Sequence, residues 1–452
     1  MHLSAGCGSM RASLITAGES MSGTPSSYDP HAFKRLRLWP QAAELLGIIL
    51  ESPPPADKHM ERYFRNHRKL GKRDRGFVAE TVYGCLRRLR LLLHLTGKDA
   101  PYPAIVAAEL LLLGNHPDSL GQARLAGGEG WSLHEMATRV EHINGESLAP
   151  AIRASMPDWL FDRFVARFGE AEAMELSGAL NQPATLDLRV NTLKSDRESV
   201  SSLLSEEGAS LSITPYSPVG LRSQERASLF RSQAFTNGLF EVQDEGSQLI
   251  ALLVEAGRRE MVMDFCAGGG GKTLAMGAMM QATGTLYACD VHERRLKALK
   301  PRLARAGLSN VRSLVLTSEN DAHLKRLAGK MRRVLVDAPC SGTGTLRRNP
   351  DIKWRDINVP ELVELQGRIL ESAARLVMPG GRLVYATCSL LSEENSGIVN
   401  DFLAAHPDFS LLDAREILAR QGADVPLDGE MMQLYPHRHA TDGFFAAAMQ
   451  RK

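Results

Sequence analysis

The chain has 452 residues, 44% hydrophobic and 23% charged, with a formal net charge of +2. That length predicts two or three domains, and the near-balance of charge permits an acidic partner without demanding one. No run of about 18 apolar residues occurs, so no membrane span is expected, and six scattered cysteines without a C-x-x-C pair or a histidine at ligand spacing point to free thiols in a reducing cytoplasm, with no disulfide framework and no metal.

Residues 1–30 are rich in Ser, Gly and Ala and read as a disordered tail, not a secretory signal. From 31 to 145 the pattern is helical: Phe77, Val78, Thr81, Val82, Cys85, Leu86 and Leu89 recur at helical spacing. Upstream, Arg62, Arg65, Arg68, Lys69, Lys72, Arg73 and Arg75 crowd into fourteen residues opposed by Asp74 alone. They form either a solvated helix face or a surface for phosphates. Gly127, Gly128 and Gly130 mark a loop. The segment 150–239 opens with Met156-Pro157-Asp158-Trp159-Leu160 and a helix, then offers strands at Leu186–Val190 and Ser210–Thr214, a small α+β domain. From 240 to 452, strands at Val262–Phe265, Thr285–Cys289, Ser313–Leu316, Val334–Val336 and Arg382–Ala386 alternate with helices. That alternation predicts a doubly wound, mostly parallel α/β sheet, with Phe444–Met449 supplying a last antiparallel strand.

Between the first strand of that sheet and its helix lies Asp264-Phe265-Cys266-Ala267-Gly268-Gly269-Gly270-Gly271-Lys272-Thr273. Glycines there let backbone approach a ligand and leave helix N-terminal N–H groups free. A P-loop fits the end, Gly271-Lys272-Thr273, but its first glycine would fall on Cys266. Asp290, at the end of the second strand, stands where a carboxylate holds a ribose, or simply caps a helix. The fourth strand runs into Asp337-Ala338-Pro339-Cys340-Ser341-Gly342-Thr343-Gly344, and the fifth into Tyr385-Ala386-Thr387-Cys388-Ser389. Two cysteines and a carboxylate would then meet at the ligand-binding edge of one sheet; the bland reading is a structural turn with inert thiols. Arg347, Arg348, Lys353 and Arg355 follow, to guide RNA phosphates or to form a solvated loop, and Trp354 stacks on a base or is buried. Cys289 reads as core.

These three motifs resemble those of the RNA 5-methylcytosine methyltransferases of the Sun type: a D-x-C-A-x-x-G-G-K-T loop, a D-A-P-C-S turn and a T-C-S turn. The likeness extends to Arg189–Lys194, Gln243–Gln248, Arg347–Trp354 and Thr441–Phe445, and covers about Pro150 to the end. Leu70–Leu89 further resembles the NusB-like RNA-binding domain of the bacterial small-subunit rRNA branch of that family. The resemblance implies an all-α NusB-like domain, a small α+β domain and a Rossmann-type core that methylates carbon 5 of a cytosine in RNA with S-adenosylmethionine; a monomer is expected. It implies Cys388 as the nucleophile, Cys340 as its assistant in proton removal or product release, and Asp337 as the partner of the cytosine ring, with Lys272 beside them. It assigns the backbone of Cys266, Ala267, Gly268, Gly269, Gly270, Gly271 and Lys272 to the amino-acid end of the cofactor, with Asp337 alongside. Asp290 would hold the ribose, and Asp321 is the choice for the adenine amino group within Ser318-Glu319-Asn320-Asp321. The loop departs from the family in one respect: glycine replaces the usual proline, which loosens it without removing a donor. A non-catalytic assembly factor keeping this fold, a P-loop NTPase, and a DNA enzyme with the P-C cysteine as nucleophile remain rivals.

Overall fold

Val78, Val82, Cys85, Leu86, Leu89 and Leu92 fall on one side of the helix Lys72–Thr96, and each is at most 5% exposed. They pack with Leu45, Leu46 and Ile105 from the helices Trp39–Leu50 and Tyr102–Leu112 in one apolar cluster. The Asp74 carboxylate accepts the Gly71 N–H at 3.1 Å and so starts the long helix cleanly. The computed structural model describes residues 35–120, 132–143, 147–223 and 229–452; the 1–30 tail with Cys7 and the 127–130 loop lie outside the described residues. The chain divides into two compact units, one formed by 1–183 with 346–356, the other by 184–345 with 357–452. Every helix or strand described in the first unit is helical. The helices Asp158–Phe168 and Glu170–Leu180 belong to that unit.

The second unit holds two sheets. The smaller is antiparallel in the order β2-β3-β1-β4, with β1 Leu186–Val190, β2 Leu211–Ile213, β3 Gly220–Ser223 and β4 Phe240–Val242. The larger has eight strands: β5 Met261–Asp264, β6 Thr285–Asp290, β7 Val311–Val315, β8 Met331–Asp337, β9 Val377–Thr387, β10 Phe409–Leu412, β11 Met432–Leu434 and β12 Phe444–Arg451. The order is β10-β12-β9-β8-β5-β6-β7, with β11 also on β12. Strands β5 to β9 are parallel where they pair, and β12 runs antiparallel to β9, as the apolar run at Phe444–Met449 predicts. Val334, Leu335 and Val336 are wholly buried, as are Leu383 through Ala386. Continuous apolar runs of this kind belong to strands covered on both faces. One covering layer includes the helix Glu245–Val254, the other Val359–Ala374 and Ser396–Ala405. This is a Rossmann-type α/β core.

The motif Arg189–Lys194 ties the small sheet to that core. Asn191 donates to the Ala306 carbonyl at 2.9 Å and Lys194 to that of Arg305 at 2.7 Å, so both satisfy the C-terminal end of the helix Glu293–Ala306.

Candidate active site

Asp264, Asp290 and Asp337 each stand last in their strands, β5, β6 and β8, and Cys388 follows the last residue of β9. From β5 the chain runs outward to β6 and β7, then returns to β8 on the other flank of β5. The carboxyl ends of β5 and β8 therefore frame the point where the winding reverses, the usual ligand crevice of such sheets.

The glycine-rich loop is shaped by positive φ at Gly268 (54°) and Gly270 (80°). A Cβ at Gly270 would lie 2.2 Å from Leu299 Cδ1, so a side chain there would have to push Leu299 aside at a strained φ. The Gly268 N–H donates to Asp290 Oδ2 at 2.9 Å, and Asp290 Oδ1 accepts the His292 N–H at 2.7 Å. Next to Gly268 an added Cβ would meet nothing nearer than 3.9 Å, so the loop is open on that side. Asp264 is 1% exposed; its Oδ2 accepts from Thr273 Oγ1 at 2.6 Å while its buried Oδ1 has no partner among the described residues. Burial, opposed by the Thr273 hydrogen bond and reinforced by Asp337, pushes the Asp264 carboxyl up to about 7.

Three carboxylates around one loop disfavour a polyphosphate. Lys272, which a P-loop would aim at phosphates, instead holds Asp337 Oδ2 at 2.8 Å. Burial lowers the Lys272 ammonium pKa, but Asp337 outweighs it and the net shift is upward, with Cys388 within electrostatic reach. An open cradle and the Asp290 carboxylate fit a nucleoside with an amino-acid tail.

The two cysteines meet: Cys340 Sγ and Cys388 Sγ are 3.5 Å apart, and both side chains are partly exposed. The neighbouring Cys388 sulfur and burial hold the Cys340 thiol well above an ordinary cysteine. Asp321 caps the short helix Ala322–Lys325; Thr317 and His323 N–H donors hold its carboxyl below the usual range. Cys289 is fully buried in the core.

Two features escape a reading of the sequence. Glu394, six residues past Cys388, is fully buried between the two cysteine turns. A glutamate pair so close behind T-C-S was the only signal. Lys353 is neither an RNA contact nor a solvated loop residue: it is 1% exposed, and its Nζ donates to Arg87 O, Ser155 O and Asn181 Oδ1 at 2.7, 2.9 and 2.8 Å. Trp354 Nε1 likewise donates to Leu86 O at 2.7 Å, so its ring belongs to the helical core rather than to a base. Among the described residues no cluster of three or more metal-ligating side chains occurs, and no helix is long and apolar enough to cross a membrane.

Residues 251–450 match the family model described as 16S rRNA methyltransferase RsmB/F, and 156–229 match the RsmF/B-like ferredoxin-like domain. A protein of Synechocystis sp. named "Probable ribosomal RNA small subunit methyltransferase B" is 32% identical over 91% of this chain and 99% of its own length. The ribosomal RNA small subunit methyltransferase B of Sodalis glossinidius is 32% identical over 84% of this chain and 90% of its own. The crystal structure of PH0851 superposes with a TM-score of 0.75 at 27% identity, covering 94% of this chain and 99% of that one. The chain belongs to the RsmB/F family of small-subunit ribosomal RNA methyltransferases, with S-adenosylmethionine as methyl donor.

Proposed function

We propose that the chain methylates carbon 5 of a cytosine in small-subunit rRNA through a covalent adduct on Cys388. The observation that carries this reading is the 3.5 Å approach of Cys340 and Cys388 at the ends of adjacent strands, beside the Lys272–Asp337 ion pair. Carbon 5 of cytosine is a weak nucleophile. Addition of the Cys388 thiolate to carbon 6 forms an S–C bond and moves the ring's electron pair to carbon 5, splitting one hard step into two easier ones. Asp337 accepts from the exocyclic amine and, once N3 carries a proton, from N3–H; the protonated ring is poor in electrons at carbon 6. S-adenosylmethionine supplies the methyl group as an electrophile. Cys340 then assists removal of the carbon 5 proton, and that electron pair reforms the double bond and expels the Cys388 thiolate. Lys272, paired with Asp337, places a positive charge within electrostatic reach of the Cys388 sulfur.

The loop backbone from Cys266 to Lys272 holds the amino-acid end of the donor, Asp290 its ribose and Asp321 its adenine amine. In the NusB-like helical unit, Arg62, Arg68, Lys69, Lys72 and Arg73 are exposed and suit RNA phosphates. The target base must be unstacked for its ring face to be reached.

The test is transfer of labelled methyl groups to small-subunit rRNA by wild type, Cys388→Ala and Cys340→Ala. The expected result is 5-methylcytosine with wild type, no transfer with Cys388→Ala, and a trapped protein–RNA adduct with Cys340→Ala. An adduct trapped by Cys388→Ala instead would exchange the roles, as in a DNA-type enzyme. Binding of RNA without any transfer by wild type would leave the assembly-factor reading standing.

A further inference from the structure

We infer that Glu394 is a positioning residue whose buried carboxylate clamps the two cysteine turns together; the inference rests on the covalent reading for its consequence in the reaction. Glu394 Oε1 accepts the Ser341 N–H at 2.8 Å and Gln366 Nε2 at 2.9 Å, and Gln366 Nε2 also reaches the Pro339 carbonyl at 2.9 Å. Both residues flanking Cys340 are thereby held. Glu394 Oε2 accepts from the hydroxyls of Ser341 and Ser389, the residues that follow Cys340 and Cys388, and those hydroxyls are 3.1 Å apart. The side chain is 0% exposed and, among the described residues, is met by four donors and no cation. A carboxylate is buried at this cost only where several donors meet it, and here all four belong to the turns that carry the sulfurs or to the helix bracing them.

Without the clamp the sulfurs lose their mutual register. A displacement of about 1 Å in a reacting group costs on the order of 100-fold in rate. Glutamine keeps the shape, accepts from the Ser341 N–H and donates to hydroxyls that can rotate to accept, so the geometry survives.

The test uses the full-length chain with Glu394→Ala, Glu394→Gln and Ser389→Ala, after thermal melts establish which variants fold. Methyl transfer to rRNA gives kcat and the KM for S-adenosylmethionine. Phenylarsine oxide, which bridges two adjacent thiols with loss of water, reports the Cys340–Cys388 spacing by peptide mass spectrometry without reference to RNA. Expected are a kcat loss of roughly 100-fold for Glu394→Ala at unchanged cofactor KM, loss of the 340–388 bridge, and recovery of both to within about ten-fold in Glu394→Gln. A folded Glu394→Ala that bridges and methylates like wild type overturns the clamp. If that variant does not fold, Ser389→Ala decides by the same two readouts. A wild type that bridges but never methylates cytosine sinks the covalent reading and leaves the clamp to be judged on bridging alone.

Discussion

Asp264→Asn changes stability by an amount that depends on pH. The Asp264 carboxyl is pushed up to about 7, from 3.8, chiefly by burial, and one of its oxygens has no partner among the described residues. Because the folded pKa exceeds the unfolded one, the folded chain binds the proton more tightly. The stability this contributes is complete below the unfolded value and is lost as pH rises through about 7. The loss is at most about 4 kcal/mol at 1.36 kcal/mol per unit. Asparagine has the same shape, still accepts from Thr273 and does not titrate. The variant should therefore gain on wild type as pH rises, the gap widening by about 2–3 kcal/mol from pH 5 to 8 and then levelling. Urea unfolding of cofactor-free wild type and variant, followed by far-ultraviolet circular dichroism at half-unit pH steps, measures this, and the comparison cancels the other titrating groups. A gap that stays flat across that range refutes the argument.

Gly270→Ala forces a side chain onto Leu299 at a φ of 80°, costing about 1–3 kcal/mol and raising the KM for S-adenosylmethionine; thermal melts and methyl-transfer kinetics read both effects. Lys353→Ala strands three buried acceptors at about 1–3 kcal/mol each, less the cost of the buried ammonium, whose pKa burial drives well down. A net loss of about 3 kcal/mol is expected in melts followed by tryptophan fluorescence, which reads Trp39, Trp159 and Trp354 of the same unit. Lys72→Ala and Arg73→Ala should each lower the slope of log affinity for rRNA against log salt by about 1, measured by filter binding between 50 and 200 mM salt; slopes equal to wild type would mean a merely solvated face.

The central strands could be read from the chain because burial on both faces writes itself as apolar runs, as at Val334–Val336 and Arg382–Ala386. The strands β3, β4, β10 and β11 have three or four residues each, too few to show a period. Phe409–Leu412 becomes a strand only by pairing with Ala448–Arg451. The same limit applies to the site. Cys340, Cys388, Asp337 and Lys272 announce themselves through glycine, proline and thiol motifs at strand ends. Glu394 and Lys353 look like ordinary surface charges, since what buries them is a set of acceptors and donors far away in the chain: Ser341 for one, Arg87 and Ser155 for the other.

The eleven residues 346–356 lie in the middle of the catalytic unit's sequence yet complete the helical unit. During synthesis at about 5–20 residues per second, the ribosome needs roughly 9–35 s to pass from Ala184 to Asp356. Throughout that interval the nascent helices wait with the carbonyls of Leu86, Arg87 and Ser155 unmet by Trp354 and Lys353. A fragment ending at Pro183 would stay in that waiting state indefinitely, and a synthetic peptide carrying 346–356 is the natural complement to restore it.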